Sequence, residues 1–129
     1  MKTRIVYPRL WYDEKFAATS KNAKLLFMYL ITNNQLTLTR YLHITNRQMM
    51  FDTGMTSVEL EEAKKDLSTI GWVFFFENWV YHNHLAAYVD YSGNERVSSS
   101  RASELKSIPP EVVTYFDKLV KSESYPQNR

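Results

Sequence analysis

The chain has 129 residues, 44% hydrophobic, 23% charged and 15% aromatic, which suits one domain whose core or interface is built from large rings. It has no cysteine, which excludes a disulfide framework, a thiolate metal site and a cysteine nucleophile. Its net charge of +2 is too small to argue by itself for a polyanionic partner.

The charge is unevenly spread. Residues 1–50 carry eight Lys/Arg against Asp13 and Glu14, whereas residues 51–90 carry Lys64 and Lys65 against seven acids. This pattern fits an anion-facing surface in the first half, or merely solvated faces. No apolar run approaches the ~18 residues of a membrane span. The N-terminal MKTRIVYPRL lacks the apolar core of a secretory signal, so an intracellular protein without a membrane partner is expected.

The first strong element is SKNAKLLFMYLITNN, residues 20–34. Ser20 is a good N-cap, and Ala23, Leu26, Phe27, Leu30 and Ile31 follow the helical repeat. Leu25, Met28 and Tyr29 add a second apolar face, so this helix is expected to be buried on two sides, ending at Asn33 and Asn34. The alternation in LTLTRYLHI (36–44) then predicts a short strand.

Two helix starts follow. Thr45 with Gln48 and Thr56 with Glu59 have capping-box spacing, and each has a hydrophobic staple, Ile44–Met49 and Met55–Leu60. Gly54 lies between them, where the first helix needs a left-handed C-terminal residue. The spacing predicts helices over about 46–53 and 57–70, the second with a core stripe of Leu60, Ala63, Leu67 and Ile70 and a stop at Gly71. Two short helices across a glycine turn make a helix-turn-helix.

Residues 71–84 read GWVFFFENWVYHNH. Trp72 to Phe76 and Trp79 to Tyr81 are β-prone runs around Glu77-Asn78, which predicts a hairpin pairing Phe76 with Trp79, Phe75 with Val80 and Phe74 with Tyr81. A hairpin after a helix-turn-helix is the wing of a winged helix, with the 36–44 strand as third member of the sheet. Val73, Phe75, Val80 and His82 then face the helices, while Trp72, Phe74, Phe76, Trp79 and Tyr81 share the other face. That aromatic patch needs cover. Candidates are Val112, Phe116 and Leu119 of the C-terminal extension, then a homodimer or another partner.

Beyond the wing, a turn is expected at Ser92-Gly93-Asn94, a short helix over 98–107, and a helix opened by Pro109-Pro110 with Val112, Val113, Phe116, Leu119 and Val120 on one face. The expected fold is α+β: a winged helix-turn-helix over 1–91, a C-terminal helical extension packed on it over 92–121, and a disordered tail over 122–129.

LWYD (10–13), AKLLFMYLITN (23–33), FDTGM (51–55), GWVFFFENWVYHNH and ELKSIP (104–109) together resemble the N-terminal domain of phage replication proteins, the replisome-organiser or DnaD-like initiators. The resemblance spans roughly residues 8–116. It implies a winged helix that binds origin DNA or replication proteins in the cytoplasm of a bacterial host. The family also tends to carry a glycine before the first strand and a larger C-terminal region. This chain reads NNQLTLTRYL at the first position and stops short of the second, so it is expected to be an excised domain or a short relative with a regulatory or inhibitory role.

No enzyme motif stands out. His82-Asn83-His84 spells HNH without the long ββα motif of that nuclease, and with His43 it supplies too few ligands for a metal. Ser103-Glu104-Leu105-Lys106 matches S-x-x-K without its companion motifs. No catalytic residue, metal or cofactor is expected. For double-stranded DNA, the second helix of the motif would present Ser57, Val58, Glu61, Lys64, Lys65 and Ser68, but this helix is net acidic. Lys21, Lys24, Arg40 and Arg47 are the better phosphate contacts, with Ser57, Lys64 and Lys65 beside them. The alternative reading is a protein–protein module that uses the winged helix as a scaffold.

Overall fold

The computed structural model describes residues 5–33, 40–83, 89–90 and 106–122. Among these residues it is α+β, with five α-helices and a small three-stranded antiparallel sheet, an arrangement compatible with a winged helix. The elements in order are β1 (Ile5–Val6), a 3-10 turn (Pro8–Tyr12), α1 (Glu14–Ala17), α2 (Lys21–Ile31), β2 (Tyr41–His43), α3 (Asn46–Thr53), α4 (Ser57–Thr69), β3 (Val73–Phe76), β4 (Trp79–His82), β5 (Val89–Asp90) and α5 (Pro110–Ser122).

The helix starts follow the local chemistry. The side chains of Asp13, Ser20, Thr45 and Thr56 each accept from the backbone N–H three residues on, which satisfies one open donor per helix. The box is reciprocal only at Thr56, where Glu59 accepts from the cap's own N–H. At Thr45 it is half a box, because the Gln48 side chain turns to Asp52. α2 ends at Ile31 with Thr32 as its cap, earlier than Asn33–Asn34. It buries Ala23, Leu26, Phe27, Leu30 and Ile31; of the expected second face, Met28 and Tyr29 are partly buried against the main core and Leu25 is 46% exposed.

The sheet has the order β2-β4-β3, and β1 pairs with β5 apart from it. The β3–β4 register is Phe76↔Trp79, Phe75↔Val80, Phe74↔Tyr81 and Val73↔His82, as the two-residue turn predicts. β2 joins the other side of β4 over Tyr41–His43; residues 36–39 of the expected strand lie outside the described residues. The expected turn at 92–94, residues 98–105 of the expected short helix and the tail beyond Ser122 also lie outside them.

Because paired residues share a face, one face carries Leu42, Val73, Phe75, Val80 and His82 and closes the main core beneath α2 and α4. The opposite face carries Tyr41, Phe74, Phe76, Trp79 and Tyr81. There α5 lies across it and builds a second core with Ile108, Val112 and Phe116. Trp72 departs from the expected alternation. Gly71 takes φ +79° just before it, and the Asn83 side chain donates to the Gly71 carbonyl at 2.9 Å. The Trp72 N–H donates back to Leu67 at 3.0 Å, and the indole stacks on Phe16 at 5.4 Å and meets Phe27 at 5.3 Å. At 2% exposure Trp72 belongs to the main core and not to the aromatic outer face.

Candidate nucleic-acid interface

Gly54 joins α3 to α4 at φ +79°, and its N–H closes α3 on the Met50 carbonyl at 2.9 Å. α4 turns Leu60, Ala63 and Leu67 into the core. Its outward side shows Ser57, Val58, Glu61, Glu62 and Lys65. Between α4, the start of α3 and the hairpin lies an open cleft of about 430 Å³, lined by Asn46, Glu61, Lys64, Lys65, Phe75 and Glu77 among others.

The cations expected to contact phosphate divide into two sets. Lys21, Arg47 and Lys65 are exposed, as is Ser57 at the start of α4. The other three hold the fold together. Lys24 donates to the carbonyls of Ala17 (3.0 Å) and Thr19 (2.9 Å), where α1 ends, and so ties α2 to the preceding turn. Arg40, at φ 75°, donates to the Asn83 carbonyl at 3.3 Å and links the start of β2 to the end of β4. Lys64 donates to Asn46, pairs with Glu61 at 3.6 Å and stands 5.2 Å over the Phe75 ring. Its side chain is only 12% exposed, so it bolts α3, α4 and the hairpin together. A helical wheel places Lys64 outward but says nothing of what folds over it.

Of the aromatic set, Phe74 is buried and Phe76, Trp79 and Tyr81 are half-buried, all against the second core that α5 completes. Phe76 stacks on Tyr115 at 4.0 Å, and Trp79 stacks on His43 at 4.5 Å. His82 sits in the main core against Phe27 at 6.1 Å, on the face opposite His43, so these two histidines do not converge. His84 lies outside the described residues.

One polar constellation escapes the sequence reading. Tyr29 donates its hydroxyl to Asp52, and Gln48 donates to both Asp52 oxygens at 2.9 and 3.0 Å. Those hydrogen bonds, Tyr29's first, hold the Asp52 carboxyl below its usual range; burial first, then Asp52, pushes the Tyr29 hydroxyl up. The (i, i+4) spacing of Gln48 and Asp52 is legible as a helical pair, but nothing local signals Tyr29.

No helix among the described residues is long and apolar enough to cross a membrane. No protein-family model, curated protein or solved structure matches this chain.

Proposed function

We propose that the chain is a non-enzymatic winged helix-turn-helix that binds double-stranded DNA in the cytoplasm of a bacterial host, in the initiation or regulation of phage-type replication. The observation that carries the reading is the arrangement of α3, Gly54, α4 and the adjoining β3–β4 hairpin in a β2-β4-β3 sheet, which leaves the first turn of α4 open to a ligand. In such motifs the N-terminal part of the second helix meets the major groove while flanking cations hold phosphates. Here Ser57 is at the groove position and Arg47, Lys65 and Lys21 are the exposed cations. Three phosphate contacts give a slope of about −3 in log affinity against log salt. Anisotropy of a labelled duplex across a salt series tests this: weak, salt-sensitive binding is expected, and no binding to any duplex at low salt removes the reading.

A second reading is favoured by a specific observation. Lys64 is drawn inward, so α4 presents Val58, Glu61 and Glu62, with Glu77 at the hairpin tip and Phe51 of α3 83% exposed. An acidic and partly apolar surface suits a protein with a basic face, whether a replication protein or a host target. A homodimer is the other partner of this class. Sedimentation of the chain alone separates self-association from a monomer that waits for a partner.

A further inference from the structure

On the side of α3 away from the α4–hairpin cleft, a second cleft of about 750 Å³ opens between the end of α2, the end of β2 and the start of α3. That volume is in the range of small-ligand sites, about 300–1,000 Å³. Its chemistry is one-sided. Tyr29, Asn33, His43, Gln48 and Asp52 line it among others, and no lysine or arginine does among the described residues. The C-terminal end of α2 borders it through Thr32 and Asn33, and that end of a helix carries partial negative charge.

The carboxylate at its edge is fixed in place. Tyr29 and one Gln48 contact occupy Asp52 Oδ2, whereas Oδ1 accepts from Gln48 alone. An ionised carboxylate has about four acceptor positions, so one stays open, on Oδ1. Asp52 is also exposed, which puts that position within reach of a ligand. His43, which lines the same cleft, is stacked on Trp79 at 4.5 Å and is thereby held as a flat wall. One anchored carboxylate and one flat ring on the wall of the same cleft are poor for a hard metal ion, which takes about six or more oxygens. They are well matched to a planar organic cation that stacks and donates one charged hydrogen bond.

The geometry points to a binding site for a guanidinium group at Asp52, His43 and Gln48, of the kind an arginine side chain carries. The site is independent of the DNA-binding surface: none of its residues is among the groups assigned to phosphate. Tyr29 and Gln48 act as positioning residues, since they orient the carboxylate that receives the cation.

The test is an NMR titration of the full chain with ethylguanidinium in one arm and N-acetyl-Gly-Arg-Gly-amide in the other, at low ionic strength. Saturable shifts of the Gln48 side-chain amide and the His43 ring are expected, and Asp52→Asn weakens binding about tenfold or more. Glu14→Gln removes an exposed acid of α1, outside every surface assigned above, and leaves binding unchanged. A thermal melt confirms that both variants are folded; if Asp52→Asn is not, Tyr29→Phe, which frees the carboxylate to turn, takes its place and weakens both probes. Equal affinity in the two arms assigns the site to the bare cation, and tighter binding of the peptide assigns it to an arginine of a protein partner. Absence of shifts in both arms overturns the proposal, as does equal weakening by Glu14→Gln.

Discussion

Phe116 of α5 stacks on Tyr81 of β4, ring centroids 5.7 Å apart and planes 27° from parallel, and so seals the sheet face that α2 and α4 leave open. The same ring meets Tyr41 edge-on at 5.9 Å, so it bridges the middle and edge strands. Sheet and helix therefore share one core. Phe116→Ala removes a fully buried ring and is expected to cost about 3–5 kcal/mol in urea unfolding. Removing residues 106–129 uncovers Tyr41, Phe74 and Tyr81 together, and the shortened chain should oligomerise or aggregate by light scattering. A folded, monomeric truncation would show that the aromatic face is stable in water.

Stability should fall at alkaline pH for an identifiable reason. Burial, then the charges of Tyr81 and Asp117, push the Tyr41 hydroxyl from 10.0 to about 12. Below the unfolded value both states keep the proton and nothing changes. From about pH 10 to 12 the unfolded chain loses its proton first, so each step upward favours unfolding. Tyr29 is shifted in the same direction and adds to the slope. Tyr41→Phe is expected to flatten the decline in urea midpoints measured across this window; an unchanged slope would place its origin elsewhere.

Gly54 isolates a backbone effect. A Cβ added there meets no atom within 4 Å, so Gly54→Ala costs only what an L-residue pays at φ +79°. That is about 1–2 kcal/mol, visible as a lower urea midpoint at constant slope. Gly54→Asn should cost less, because asparagine visits this region more readily.

The exposed and the tied cations should separate in a binding assay. Arg47→Glu and Lys65→Glu are expected to weaken duplex binding by similar factors on unrelated sequences, with the salt slope reduced by about one for each cation removed. Lys64→Met should leave affinity close to that of the parent and lower stability instead, because its amine is held by Asn46 and Glu61. Loss of binding on Lys64→Met alone would return that residue to the ligand-facing set.

What the sequence determined by itself is local. The caps at Ser20, Thr45 and Thr56, the left-handed Gly54 and the β3–β4 register are each settled within about four residues, where hydrogen-bond geometry and side-chain alternation leave little freedom. Tertiary structure decided everything that depended on a partner far along the chain. Alternation puts Trp72 with Phe74, yet the turn at Gly71, locked by Asn83 twelve residues on, rotates the indole onto Phe16. Lys64 turns inward only because Asn46 and Phe75 arrive beside it, and Asp52 gains Tyr29 from 23 residues away. A side chain's reach is fixed by its type, but whether it meets water or another part of the protein is fixed by packing between elements, which no window of sequence contains.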